Sequence, residues 1–193
     1  MVNVISQSFK TGNGTRQGSL LSPYLYARYI RPLLRSVHNT RIGCNVGGMF
    51  YNILAYADDI VLIAPSWSAM QQLIDVLHDG ALYIDMLINV KKTRCMMFNP
   101  KDRHMTVSQK FENVMLNGNV LQFISSFKYL GHILSCNSRD DADISRETKN
   151  LYIRANVLFR RFHVCSQRVK AKLYKYFCLC LYGSACGKIS LVL

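Results

Sequence analysis

Apolar positions along the 193 residues change period several times, and each change predicts an element. Tyr26, Ile30, Leu33, Leu34 and Val37 recur at helical spacing behind Ser22-Pro23, which reads as an N-cap followed by proline at the first helical position. Pro32 lies inside that stretch and should kink the helix or end it early. Val46-Gly47-Gly48-Met49 predicts a tight turn between short strands. From Ile53 to Ala64 two apolar runs of strand length flank Asp58-Asp59, which predicts a buried β-hairpin with two carboxylates at its tip. After Pro65, Ser68 with Gln71 fits a capping box that opens a helix. Its apolar face is Met70, Leu73, Ile74, Leu77, Ala81 and Ile84, with Gly80 as a weak point.

The second half changes texture. Thr93 to Phe98 reads as a strand, and Asn117-Gly118 between two apolar runs is a type I′ hairpin signal. Phe127 to Leu134 reads as one more strand, and the polar run 137–141 as a linker. Leu151, Ala155, Leu158 and Phe162 then form one helical stripe, with Arg154, Arg160 and Arg161 largely off it. Val169, Leu173, Phe177 and Cys180 suggest a second helix carrying Lys170, Lys172 and Lys175. The expected fold class is α+β: a body over residues 1–136, then a basic helical segment over 137–193.

Composition narrows the function classes. Half of the residues are hydrophobic and only 18% are charged, which excludes an intrinsically disordered chain. No apolar stretch is long enough to span a membrane, and the first residues lack the basic start and cleavage site of a secretory signal. Seven cysteines without a CxxC pair read as reduced thiols of an intracellular protein, nuclear or cytoplasmic. Cys178, Cys180 and Cys186 alternate with apolar residues and read as core cysteines, not as zinc ligands. The net charge of +13 points to a polyanionic partner, above all nucleic acid. That charge is uneven: residues 1–57 hold six Lys/Arg and no acid, and residues 144–193 hold ten Lys/Arg against Glu147 alone. Nearly all the acid lies between two basic flanks, a layout that suits a phosphate backbone beside an acidic centre and also fits plain solvated surfaces.

Adjacent aspartates at a hairpin tip are either an ordinary exposed turn or a site for a hard divalent cation, which wants oxygen ligands and offsets the repulsion of close carboxylates. The apolar flanks of Asp58-Asp59 favour the second reading. Tyr56-Ala57-Asp58-Asp59 resembles the YxDD signature of reverse transcriptases. Three further elements lie in the family's order. Arg16-Gln17-Gly18-Ser19-Leu20-Leu21-Ser22-Pro23 resembles the loop and helix preceding that hairpin, and Ile88-Asn89-Val90-Lys91-Lys92-Thr93 resembles the IN-x-x-KT element. Phe127-Lys128-Tyr129-Leu130-Gly131-His132-Ile133-Leu134 is similar to the primer-grip hairpin in its non-LTR (LINE-type) form. The resemblance covers residues 10–135 well and the rest more loosely.

The resemblance implies a partial polymerase palm, an antiparallel sheet with packed helices, followed by a truncated, helical thumb-like segment. It implies that Asp58 and Asp59 bind catalytic Mg2+, and that Lys92 or Lys91 holds or protonates the departing pyrophosphate. Arg16, Gln17, Gly18 and Asn89 would meet nucleotide and template. Tyr129, Leu130 and Gly131 would carry the turn against the primer, and Arg154, Arg160 and Arg161 would take nucleic-acid phosphates. The implied partners are an RNA template, a DNA primer and, in the intact parent, deoxynucleoside triphosphates. The family also carries a metal-binding aspartate and fingers upstream, whereas residues 1–57 hold no Asp or Glu. The expectation is therefore a fragment of an RNA-directed DNA polymerase, inactive alone unless a partner chain or a missing upstream region supplies the rest. The alternative is a non-catalytic nucleic-acid-binding remnant of a retroelement.

Overall fold

A computed structural model describes residues 14–98 and 112–178. They divide into two compact units, residues 14–95 with 112–122, and residues 123–178 with the short piece 96–98. In this packing the hairpin before residue 136 groups with the helices that follow it.

The first unit is built on two helices, α1 (Ser22–Asn39) and α2 (Trp67–Tyr83). Ile30, Leu33 and Val37 of α1 meet Leu73, Leu77 and Ala81 of α2 in one buried cluster. The expected apolar stripes therefore hold, but both helix starts differ. Ser22 is already inside α1, with Leu21 at the flanking position, and its hydroxyl donates to the Arg16 carbonyl at 2.6 Å instead of capping. Ser66, not Ser68, caps α2, accepting from the Ala69 N–H at 3.2 Å. Gln71 is drawn elsewhere: its side chain accepts from the Met115 N–H at 2.8 Å and donates to the Met115 carbonyl at 3.0 Å. Pro32 neither stops nor shortens α1: it lies inside the helix, and both Pro32 and Arg28, whose carbonyl loses its helical partner, are on the exposed face. Gly80 has a packing reason: a Cβ there would lie 2.5 Å from Leu33 Cδ1, so glycine allows the two helices to approach.

Two hairpins follow α1. β1 (Cys44–Val46) and β2 (Met49–Tyr51) pair antiparallel around Gly47 and Gly48, the expected tight turn, which their φ values of 59° and 81° make a primed one. β3 (Ile53–Tyr56) and β4 (Asp59–Leu62) pair with Ile53 opposite Leu62 and Tyr56 opposite Asp59. Ile53, Ile60 and Leu62 pack on the helical core. The other face is open, with Leu54 at 44% and Tyr56 at 63% exposure, so the hairpin is half-buried and not buried throughout. Alternation explains this: a two-stranded sheet lays one face on the core and turns the other away. Asn52, between the two hairpins, is buried; its Nδ2 donates to the Val37 carbonyl at 2.8 Å and its own carbonyl accepts from the Ile63 N–H at 2.8 Å.

The strand expected over 93–98 is reduced to β5 (Arg94–Cys95). β6 (Met115–Leu116) and β7 (Asn119–Val120) form the expected hairpin, with Asn117 and Gly118 at φ 50° and 71°. β8 (Gln122–Phe123) is a two-residue strand.

In the second unit, Phe127 to Leu134, a single strand by periodicity and a hairpin by the family resemblance, is a hairpin, β9 (Ser126–Tyr129) and β10 (His132–Ser135). Leu130 and Gly131, both left-handed at φ 47° and 90°, make its two-residue turn. Apolar periodicity runs straight across such a turn, which is why it reads as one strand. Two helices complete the unit, α3 (Asp141–Arg161) and α4 (Gln167–Phe177). Leu158 is the one buried residue of α3, and α4 buries none. The fold is a mixture of helices and small antiparallel pairs, and each pairing among the described residues joins two strands only. No described helix is long and apolar enough to cross a membrane.

Candidate active site

The turn of the β3–β4 hairpin is Ala57-Asp58, with Asp59 already the first residue of β4. Ala57 holds φ 50°, a conformation uncommon without glycine. Such a backbone persists where its surroundings over-determine it. Asp58 and Asp59 are both exposed. Tyr26 of α1 is the neighbour that feels this turn electrostatically: burial raises its hydroxyl above the ordinary tyrosine pKa, and the charge of Asp58 raises it further. Tyr26 packs on the helical core, as its place in the stripe predicts, but the stripe does not disclose its electrostatic link to Asp58. The signal available was its helical offset of four from Ile30, which cannot tell a core residue from one at the edge of a site.

The loop at the head of α1 is held by a chain reversal. The Ser19 N–H donates to the Arg16 carbonyl at 3.3 Å, with Gln17 and Gly18 between them and Gly18 at φ 78°. Glycine at that third turn position relieves the left-handed strain that any Cβ would bring. Arg16, Gln17 and Gly18 are exposed, and no atom lies within 4 Å of the position a Gly18 Cβ would take. Tyr29, one turn beyond Tyr26, donates its hydroxyl to the Ile84 carbonyl at the end of α2. α1 thus carries the Arg16–Gly18 loop at its head, bears Tyr26 within electrostatic reach of Asp58, and meets the end of α2 through Tyr29.

Beyond α2, Asn89 organises the loop that presents the lysines. Its side-chain oxygen accepts from the Lys92 N–H at 3.1 Å, and its carbonyl accepts from the Thr93 N–H at 3.0 Å and hydroxyl at 2.8 Å. Arg94 closes the loop by donating to the Lys91 and Thr93 carbonyls at 2.6 and 2.9 Å. Lys91 and Lys92 stand exposed on it. The side-chain oxygen of Asn89 is thus spent on loop shape.

Arg16, Gln17, Gly18, Asp58, Asp59, Asn89 and Lys92 belong to the first unit, and Tyr129, Leu130, Gly131, Arg154, Arg160 and Arg161 to the second. In the second unit Leu130 stands 45% exposed at the hairpin turn, and the three arginines are exposed along α3. Arg154 lies 3.9 Å from Glu147. Cys178 is buried, in keeping with a core cysteine, whereas Cys180 and Cys186 lie outside the described residues. Among the described residues no three His, Cys, Asp or Glu side chains come together as a metal-binding group. Asp58 and Asp59 alone do not complete a site for a pair of divalent cations, which needs ligands from more than one strand.

Residues 1–134 match the family described as reverse transcriptase (RNA-dependent DNA polymerase). This chain belongs to the reverse transcriptase family. Its curated relatives include the retrovirus-related Pol polyprotein from the type-2 retrotransposable element R2DM of Drosophila melanogaster, 34% identical over 87 residues, 45% of this chain and 8% of that protein. They also include the RNA-directed DNA polymerase from the mobile element jockey of Drosophila funebris, 26% identical over 188 residues, 89% of this chain and 19% of that protein. The non-LTR reverse transcriptase read from the motifs stands, and the chain is a fragment of such a polymerase. It spans less than a fifth of the length of either relative. Reverse transcriptases as a family use divalent metal and nucleic-acid substrates, with RNA as template.

Proposed function

We propose that this chain forms part of the palm and the start of the thumb of a non-LTR reverse transcriptase, whose intact parent adds deoxynucleotides to a DNA 3′ end on an RNA template. The observation that carries the reading is the Asp58 turn itself. Two exposed carboxylates sit at a hairpin turn whose Ala57 is left-handed, within electrostatic reach of Tyr26, which lies on the same helix that holds the Arg16-Gln17-Gly18 loop at its head. In this reading the exposed backbone at Gln17-Gly18 approaches the nucleotide and the template base. Lys91 and Lys92, fixed on the loop that Asn89 shapes, hold the negative charge of the departing pyrophosphate. The Tyr129-Leu130-Gly131 turn meets the primer. Arg154, Arg160 and Arg161 take phosphates without reading sequence, which suits an enzyme that copies any template. Asp58 and Asp59 supply one wall of carboxylates for Mg2+; the set in this chain is incomplete, and no catalytic step is assigned through it.

Primer extension with an RNA–DNA primer–template, magnesium and all four deoxynucleotides tests this reading, with purified 1–193 beside Asp58→Ala. The expected result is silence from both, and weak duplex binding without sequence preference that falls steeply with salt. Extension by the native chain that Asp58→Ala abolishes would show that these two aspartates suffice. Affinity unchanged between low and high salt would overturn the electrostatic part. The lack of any carboxylate in residues 1–57 favours a second reading, a nucleic-acid-binding remnant without catalysis. A separately supplied polymerase segment bearing the upstream aspartate restores extension under the first reading only.

A further inference from the structure

The hairpin β9–β10 is held by a side chain that the motifs do not include. In a two-residue hairpin the pair flanking the turn, here Tyr129 and His132, faces inward for hydrogen bonding. The next residue, Ile133, therefore points its N–H away from the partner strand. Asp143, in the first turn of α3, receives it: Oδ1 accepts from the Ile133 N–H at 2.8 Å. The other oxygen, Oδ2, accepts from His132 Nδ1 at 2.9 Å. Arg146, one turn along α3, donates to Oδ1 from Nε at 2.9 Å and from Nη2 at 2.8 Å, and the same Nη2 lies 2.8 Å from Glu147. One carboxylate thus gathers a strand-edge amide, an imidazole and a guanidinium. Its two bonds to the hairpin land on the residues immediately after the Leu130-Gly131 turn.

We infer that Asp143 is the positioning residue of this turn: it locks β10 onto the head of α3 and so fixes where Leu130-Gly131 presents itself to the nucleic-acid backbone. This rests on the polymerase reading for the ligand, and on hydrogen bonds alone for the anchoring. Apolar packing is a weak competitor here, since Phe127 and Leu134 of the hairpin and Ile144 of α3 are each about two-fifths exposed. A turn with so little burial behind it takes its orientation from directional bonds.

The test uses the full 1–193 chain and its Asp143→Ala, Asp143→Asn and Glu147→Gln variants. Amide exchange at Ile133, thermal midpoint and affinity for an RNA–DNA hybrid at fixed low salt are read together. Asp143→Ala is expected to speed exchange at Ile133 about tenfold and to weaken hybrid affinity several-fold. Asp143→Asn keeps an oxygen for the Ile133 N–H but loses the charge facing Arg146, so it should retain most of the protection and part of the affinity. Glu147→Gln touches Arg146 but not the hairpin and should leave Ile133 protection unchanged. If Asp143→Ala lowers the midpoint too far for comparison, the Asn variant carries the test through its affinity: native hybrid affinity together with native Ile133 protection in Asp143→Asn overturns the inference. Unchanged protection at Ile133 in Asp143→Ala overturns the inference, as does lost protection with full affinity. A native chain that binds no hybrid removes the polymerase reading, while the exchange data still decide whether Asp143 anchors the hairpin.

Discussion

In the first unit, α1 and α2 bury Ile30, Leu33, Val37, Leu73, Ile74, Leu77 and Ala81. In the second, α3 is longer than either of them yet buries Leu158 alone, and Tyr152, Ile153, Val157 and Phe159 remain exposed along it. What α3 has instead is charge: Asp143, Arg146 and Glu147 in a bonded series at its head, and Arg154, Arg160 and Arg161 further on. The residues that resemble the nucleotidyl-transfer elements stand on the apolar-cored unit, and those that resemble the nucleic-acid grip stand on the polar-bonded one. Apolar burial is non-directional and tolerates exchange of one side chain for another of similar volume, whereas a charged hydrogen-bond cluster fixes geometry and depends on each member. The two units should therefore fail in different ways.

The largest effect is expected at Leu73, whose side chain is fully buried in the α1–α2 cluster. Leu73→Ala should lower the stability of the first unit by about 3 kcal/mol, from lost transfer energy plus the cavity left behind. Chemical denaturation monitored by amide exchange in α1 and α2 measures this. A loss below about 1 kcal/mol would mean that the core closes over the gap, and that apolar burial does not set the first unit apart from the second.

How far these features are legible in sequence follows the same division. Helix stripes and two-residue turns are local, so the α1 and α2 faces, Gly47-Gly48 and Asn117-Gly118 all read correctly. The Asp58-Asp59 hairpin and the family reading were legible because four motifs fall in order along the chain. Asn52, Gln71 and Asp143 were not, since each acts on a partner well removed in sequence: Val37, Met115 and Ile133. A polar residue that reaches across the fold leaves no periodic trace. Gly80 read as a weakness for the same reason, because the contact that requires it belongs to Leu33.

Acid should separate the units next. Partial burial pushes the Asp143 carboxyl up, but hydrogen bonds from His132, the Ile133 amide and Arg146, with the charge of Arg146, outweigh this and bring it from 3.8 to about 2. A carboxylate with a depressed folded pKa contributes fully above its unfolded value, and the contribution is lost as pH falls through the folded one. The window is therefore about pH 4 down to about 2, and the full shift, near 2 kcal/mol, is cut by solvent screening to about 1 kcal/mol. Across that window amide protection should fall in β10 and the head of α3. The buried cluster between α1 and α2 contains no carboxylate, so its protection should fall later or less. Equal loss in both units, or a β10 response that survives in Asp143→Ala, would contradict the contrast.

The smallest effect compares two helix starts. α2 begins with a true cap, Ser66 accepting from the Ala69 N–H at 3.2 Å, whereas Asp140 at the head of α3 makes no side-chain capping bond. Ser66→Ala leaves that amide without its protein partner and should cost about 1 kcal/mol. Asp140→Asn has no capping bond to lose and removes only a charge near the positive end of the helix dipole, worth a few tenths of a kcal/mol and screened by salt. Ser68→Ala, at the position where sequence alone places the cap, should stay within about 0.5 kcal/mol. Thermal melts at low and high salt distinguish these cases: the Ser66 cost should be the same at both, and the Asp140 cost should fade. A salt-insensitive loss at Asp140 as large as that at Ser66 would mean that α3 is capped by its own aspartate, and that its head does not depend on Asp143 and Arg146 alone.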